Sequence, residues 1–454
     1  MTTADSALTG IFSTPAVDRE LSLDAQVRAM ARFEWALAAA LEEARIAPAG
    51  TAKALEPLRD TFALSGAQLE KLQGDARWAG NIAIPLIKLF TDFVAQKNNQ
   101  AARYVHLGAT SQDLLDTALV LQLTPVLQIL QDETGALIES CSALARKHAE
   151  TVMAGRTWLQ QGPPITFGLK VAGWAAAMAR HQQRLGAVAE RALVLQFGGA
   201  VGTLASLGDN GSAVSAALAR NLQLREPLLP WHTQRDNLAE VATTLGLLVG
   251  TVGKMARDIS LLMQIEVAEA FEPAVAGRGG SSTMPHKRNP VACAGVLAIA
   301  TRVPYLVATM LSAMVQEHER ALGGWQAEWE TLPAILRLSA SALAYMRETI
   351  AGLEVDASRM SENLKMTHGA VLAEAVSSAL APALGREQAH ALLEAAVQQA
   401  TREKRTLREV LLSTPEVAKH LRAEKITALT DPENYLGSTR ALIERTLAAI
   451  PEKK

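Results

Sequence analysis

Cysteine is nearly absent. Cys141 and Cys293 are the two in 454 residues, and no C-x-x-C spacing occurs, so a disulfide scaffold and a zinc ribbon are both excluded and each cysteine reads as a small buried hydrophobe. Aromatic residues make up 4% of the chain, which leaves Ala, Leu, Val and Ile to build the core. No sign of charge dominates: 44 Lys+Arg against 46 Asp+Glu leave a formal charge of -2, with no global field for nucleic acid or a membrane surface. The longest uncharged run, residues 192–208, is broken by Gln196 and four glycines and falls short of the ~20 apolar residues of a membrane span. Asp5 precedes any apolar stretch and no basic segment leads one, unlike a secretory signal. These absences predict a soluble protein of a reducing cytoplasm, with neither nucleic acid nor membrane as a partner.

What is present is helical periodicity. From Asp24 to Ile46, Met30, Phe33, Leu37, Leu41 and Ala44 recur at three- and four-residue spacing while Arg32, Glu34 and Glu42 fall elsewhere, and Pro48 with Gly50 closes the segment. The same period runs through residues 114–150, 169–195, 237–271, 291–316, 332–353 and 388–404, and alternating strand patterns are almost absent. Several of these segments exceed the ~10–14 residues of an average helix, which predicts an all-α fold with a central bundle of long helices. Pro125 and Pro304 are expected as kinks or breaks. Punctuation divides the chain into residues 1–108, 109–354 and 355–454.

The strongest local feature is G-R-G-G-S-S-T-M-P-H-K-R-N-P at residues 277–290, set between two apolar helical patterns. Its glycines permit positive φ, its hydroxyls come from Ser281, Ser282 and Thr283, and Arg278, His286, Lys287 and Arg288 concentrate positive charge. A solvated connection between helices has the same composition. A phosphate-binding P-loop is excluded, since no Gly-Lys-Ser/Thr occurs and no strand precedes the segment. Gly198, Gly199 and Gly202 make no dinucleotide fingerprint either.

The segment Gly280–Pro290 resembles the signature loop of the fumarase/aspartase superfamily, which includes adenylosuccinate and argininosuccinate lyases. His106–Asp113 (HLGATSQD), Arg156–Gln160 (RTWLQ) with Pro164 and Thr166, and Gly198–Thr203 (GGAVGT) resemble the other blocks of that superfamily, in order and across nearly the whole chain. The resemblance implies three mostly helical domains around a central five-helix bundle, and a homotetramer whose active sites each draw on three subunits. It implies no cofactor and no metal. It makes Ser281 the carbon acid/base, with Ser282 beside it and Lys287 and Asn289 gripping a substrate carboxylate. A serine is a poor base unless its alkoxide is stabilised, a task for loop N–H groups and Lys287. Thr110, Ser111, Thr157 and Gln160 match positions that hydrogen-bond substrate carboxylates, with helix capping or loop satisfaction as their other use.

Two departures narrow the chemistry. The lyases carry a histidine where this chain has Trp158, and an acidic partner thirteen residues beyond the first loop serine, where this chain has Ala294. That pair manages the proton of a leaving nitrogen. A carboxylate, with a pKa of ~4, is already a stable anion and needs no such help. Adenylosuccinate lyases also anchor a nucleotide through a serine and an arginine at positions occupied here by Trp325 and Trp329. The stretch Glu317–Pro333, with Trp231–Asp236, resembles the lactonising branch of the superfamily. The implied substrate is a small tricarboxylate whose own carboxylate adds across a conjugated double bond. Trp158 then lines the site, and His106, His232, Arg235 and Arg320 bind the remaining carboxylates. An adenylosuccinate-lyase-like amine elimination is the alternative, and a noncatalytic helical scaffold a more distant one.

Overall fold

The computed structural model describes residues 9–275, 279–280, 284 and 287–450. Ser281 and Ser282 therefore lie outside the described residues. Contacts divide the chain into two compact units: Met1–Glu133, His181–Gly250 and Ala298–Ala344 form the first, and Thr134–Arg180, Thr251–Leu297 and Tyr345–Lys454 the second.

The all-α expectation holds. The helices used below are α1 (Leu23–Glu43), α2 (Ser111–Lys147), α3 (Phe167–Ala192), α4 (Asp236–Leu262), α5 (Val291–Ala313) and α6 (Gly324–Ala351). The chain runs through Pro125 in α2, Pro304 in α5 and Pro333 in α6 without ending the helix, so of the kinks or breaks expected at Pro125 and Pro304 the breaks are absent. Burial on long helices outweighs one lost backbone hydrogen bond at each proline. The sheet content is small: β1 (Val152–Thr157) pairs antiparallel with β2 (Gln160–Thr166), and β3 (Ala270–Phe271) with β4 (Glu354–Val355).

In the first unit, Ser22 caps α1 by accepting from the Ala25 amide, and Met30, Phe33, Leu37 and Leu41 are fully buried. They pack with Leu55, Leu58, Leu86, Phe90 and Leu114. Phe62 meets Phe90 edge-on at 4.9 Å. The periodicity places Glu34 off the apolar face, yet its carboxylate is fully buried. A charge is held there only if it is paired.

In the second unit, the β1–β2 hairpin is seated between the end of α2 and the start of α3. The Phe167 amide donates to the Thr151 carbonyl at 2.8 Å and the Gly168 amide to that of His148 at 2.8 Å. Gly168 has no room for a side chain, since a Cβ would lie 2.6 Å from the Ala145 carbonyl oxygen and 2.7 Å from the Ala149 Cα. A separate cluster of Val376, Leu380, Leu393, Leu407, Val410, Leu411 and Ile426 forms the core of the C-terminal helices.

Among the described residues three helices, α2, α4 and α5, are long and apolar enough to cross a membrane by length and composition. Isolated charged residues interrupt their apolar stretches, so none of them contains an uncharged run of ~20 residues. Their most apolar windows are 67%, 61% and 33% buried within the chain. Protein covers most of the first two, and α5 leaves most of its window outside the buried interior.

Gly168→Ala is expected to lower the unfolding midpoint by the equivalent of about 1–3 kcal/mol, because both crowded atoms belong to backbone and cannot rotate away. Chemical denaturation followed by circular dichroism measures this, and an unchanged midpoint would show that the hairpin seat yields.

Candidate active site

In the first unit the candidates gather around Asp113. This residue stands in the first turn of α2, fully buried. Its Oδ2 accepts from the Thr110 amide at 3.0 Å, as in a capping box, and from the Gly199 amide at 2.9 Å. Its Oδ1 accepts from the Gly198 amide at 3.0 Å and Gln196 Nε2 at 3.0 Å, and lies 2.8 Å from His232 Nε2. The glycines are required: Gly199 has φ +68°, and a Cβ on Gly198 would lie 2.6 Å from Pro230 Cβ. Thr110 and Ser111 are thus half-buried at a helix start held by Asp113. Arg320 approaches the same loop, donating to the Ala200 carbonyl at 2.8 Å and to Gln112 Oε1 at 3.3 Å.

His106 has φ +61°, a region costly for any residue but glycine. Glu34 holds it there by accepting from the His106 amide at 2.7 Å through Oε2, while its Oε1 lies 2.7 Å from Nδ1. That leaves Nε2 as the ring atom able to meet a ligand. Burial pulls the imidazole pKa down, but the charge and hydrogen bond of Glu34, with the charge of Asp113 beyond, outweigh it and raise the pKa above the ordinary 6.5.

Arg235 does not join this set. Its side chain is 1% exposed, with bonds to Asp116 at 2.6 and 3.0 Å and to Glu328 at 2.6 and 3.1 Å. Trp231 lies 4.9 Å from the guanidinium, and Trp325 Nε1 donates to Asp116 at 3.0 Å. Expected to bind a substrate carboxylate, Arg235 is instead consumed by two buried protein carboxylates. His232 is 4% exposed with its Nε2 on Asp113, which restricts it to holding the loop in this chain.

The second unit carries the remaining candidates. The hairpin register pairs Thr157 with Gln160, so Trp158 and Leu159 form a two-residue turn with φ +52° and +64°. Such turns normally use Asn-Gly. Thr157 and Gln160 are exposed at this tip and Trp158 is 98% exposed, so within one chain the indole packs on nothing. The strand below is anchored: Arg156 forms a bidentate pair with buried Glu269 at 2.8 and 2.6 Å, and Asn363 Nδ2 donates to Glu269 at 2.8 Å. Lys287 is exposed and Asn289 half-buried at the end of the signature loop. The Asn289 amide donates to the Gly279 carbonyl at 2.9 Å. Ala294 is exposed in the first turn of α5. Among the described residues no group of three or more His, Cys, Asp or Glu could hold a metal.

The motifs of the sequence give no role to Glu34, Asp116, Glu269 or Glu328, whose partners are distant in sequence or lie in other elements.

A family model described as Lyase matches residues 1–304, and one described as Adenylosuccinate lyase C-terminus matches residues 369–446. A 3-carboxy-cis,cis-muconate cycloisomerase of Pseudomonas aeruginosa is 51% identical over 428 residues, covering 93% of this chain and 92% of the relative. Its counterpart in Bradyrhizobium diazoefficiens is 49% identical, with 93% of each chain covered. The crystal structure of the 3-carboxy-cis,cis-muconate lactonizing enzyme from Pseudomonas putida superposes with a TM-score of 0.92 at 48% identity, covering 97% of this chain and 98% of that one.

Two outcomes check the geometry. Glu34→Gln is expected to lower the His106 pKa, read by NMR of labelled histidine. The stability lost in this variant should be greatest below pH ~6.5 and should shrink as pH rises through the raised His106 pKa, because the charged pair exists only while His106 is protonated. Arg235→Met is expected to cost about 3–5 kcal/mol by stranding two buried carboxylates. Normal stability combined with a raised KM would return Arg235 to the substrate set.

Proposed function

The chain belongs to the lyase family matched over residues 1–304, the fumarase/aspartase superfamily, and on that premise we propose that it cyclises 3-carboxy-cis,cis-muconate to 4-carboxymuconolactone. This is an intramolecular lactonisation in the breakdown of protocatechuate through the β-ketoadipate pathway. The observation that carries the choice within the superfamily is the pair Trp158 and Ala294. A reaction whose nucleophile is already an anion can dispense with the residues that deliver a proton to nitrogen.

The chemistry assigned to each residue follows from that substrate. One carboxylate attacks a conjugated double bond of its own molecule, so the task is to select the reactive conformer. Negative charge moves onto the far carboxylate as an aci-carboxylate. Lys287 and Asn289 stabilise it, a contribution of about 2.7–4 kcal/mol per donor in comparable sites. Ser281 then protonates the adjacent carbon, with Ser282 beside it. Arg320 and protonated His106 offer positive charge to the other carboxylates, and Thr110, Ser111, Thr157 and Gln160 offer hydrogen bonds. No step calls for a cofactor or a metal ion, since donors of the chain itself take up the charge.

Three domains, residues 1–108, 109–354 and 355–454, and a homotetramer with shared sites complete the proposal. Support for assembly comes from α5, with Tyr305 75% and Leu311 47% exposed, and from the bare Trp158–Leu159 tip. Apolar surface on this scale calls for a partner, and a second copy of the chain is the one proposed. The same surface supports a site that Trp158 enters from another subunit. Two free cysteines and bacterial metabolic relatives support a cytoplasmic setting.

With authentic 3-carboxy-cis,cis-muconate, the enzyme should remove conjugated-diene absorbance in the ultraviolet and release no fumarate from adenylosuccinate or argininosuccinate. Appreciable fumarate release would promote the amine-lyase alternative. Ser281→Ala should abolish most turnover while leaving assembly intact, with Ser282→Ala milder; the reverse order would exchange their roles. Lys287→Met should lower kcat/KM at least ~100-fold. A Lys287→Met enzyme within threefold of wild type would make Lys287 a solvated loop residue.

A further inference from the structure

The end of the signature loop is tied to a part of the second unit that carries none of the candidate residues. Arg288 stands between Lys287 and Asn289. Its guanidinium donates to both carboxylate oxygens of Glu354, at 2.8 and 2.9 Å, and to the Glu272 carbonyl at 2.7 Å. It also lies 4.9 Å over the Phe271 ring. Glu354 is oriented in turn: it pairs with Phe271 in the β3–β4 ladder and accepts from the Ala274 amide at 3.0 Å.

The backbone around Arg288 is fixed as well. Gly280 and Arg288 form an antiparallel bridge, and the Asn289 amide bonds the Gly279 carbonyl. Gly279 has φ +71°, and a Cβ there would lie 2.7 Å from the Asn289 oxygen, so the closure needs glycine. Just beyond, the buried Glu272 carboxylate accepts from the Ala292 and Cys293 amides at 3.1 and 2.8 Å, capping α5. Turns close the backbone on either side of Arg288: the Lys287 amide donates to the Met284 carbonyl at 3.0 Å and the Val291 amide to that of Asn289 at 2.9 Å. With Arg288 held by Glu354, the backbone that carries Lys287 and Asn289 is held with it.

We propose that Glu354 is a positioning residue: by clasping Arg288 it sets the direction in which Lys287 and Asn289 meet the substrate carboxylate. This rests on the substrate role proposed for those two residues. A bidentate pair fixes rotation as well as distance, which a lone point charge would not. The pair is partly exposed, with 39% and 45% of its side chains accessible, so it adds little to global stability. Its loss should therefore appear in turnover rather than in unfolding. The Arg288 hydrogen bonds, opposed by partial burial and aided by the Ala274 amide, hold the Glu354 carboxyl below its usual range, so the clasp stays charged through neutral pH.

The test uses the full-length enzyme. Glu354→Gln and Arg288→Met are each expected to lower kcat about tenfold with KM within about threefold, as for a misaligned transition-state contact. Their melting temperatures should stay near that of wild type. Arg288→Lys, which keeps the charge but not the fork, should recover part of the loss. In a Lys287→Met background, Glu354→Gln should lose part of its effect, since one of the two groups it orients is gone. Backbone exchange at Asn289, read by hydrogen–deuterium exchange, should be faster in Glu354→Gln. An undiminished tenfold loss in the Lys287→Met background, unchanged kcat, or unchanged exchange at Asn289 would each overturn the clasp. A wild-type enzyme inactive on 3-carboxy-cis,cis-muconate would sink the functional proposal separately, with Asn289 exchange still deciding whether Glu354 holds the loop.

Discussion

The arrangement of the first unit depends on where the charge of Asp113 is satisfied. A fully buried carboxylate is tolerated only when donors surround it, and here they come from three separate places in the sequence: Thr110, the stretch from Gln196 to Gly199, and His232. His232 Nε2 faces the same carboxylate at 2.8 Å, and wherever that carboxylate is ionised, and so only accepts, this ring nitrogen is the donor. The same bonds set the start of α2, the glycine turn and the loop at Trp231. Arg320 then reaches the Ala200 carbonyl just past that turn, so its guanidinium is placed by a loop that Asp113 holds.

A few residues away the opposite arrangement prevails. Arg235, Asp116 and Glu328 share one buried cluster, with Trp325 and Gln316 donating to the carboxylates. The desolvation cost of three charges is offset only because nearly every donor and acceptor is used. Such a cluster has nothing left to offer a substrate. Burial therefore separates the two arginines that sequence alone ranks together: Arg320 keeps an exposed fraction and single bonds, whereas Arg235 is saturated. It also gives Trp325 a structural reason to be an indole: its N–H is one of the donors that Asp116 needs.

Long helices and the signature loop were legible because each leaves a local pattern, a 3.6-residue period in one case and a dense run of glycines, hydroxyls and cations in the other. The carboxylates that organise the site were not. Glu34 sits in a helix whose period assigns it to the polar face, and its partner His106 is 72 residues away, so no local window contains both. The β1–β2 hairpin was equally hidden, since its turn is Trp158–Leu159 in place of the glycine or asparagine that would announce it. Pro125 and Pro304, where a kink or a break is expected, do not end their helices for the complementary reason: a local cost is outweighed by burial along the rest of each helix.

The hairpin tip shows what that concealment is for. Among the described residues ten other than glycine adopt positive φ, and some, such as Gln223 and Lys404, are ordinary helix C-caps. His106, Trp158 and Leu159 are not. Each left-handed residue costs about 1–3 kcal/mol and persists only where its surroundings overdetermine it. For His106 the Glu34 carboxylate does so through two bonds. For Trp158 and Leu159 the restraint is the register of β1 on β2, anchored by Arg156 on Glu269. Asn-Gly would close this turn with less strain, but it would put no large ring and no apolar surface at the tip. The sequence at this position thus gives up local stability to present an indole between Thr157 and Gln160. A side chain that cannot titrate accords with the proposed reaction, whose nucleophile arrives already charged.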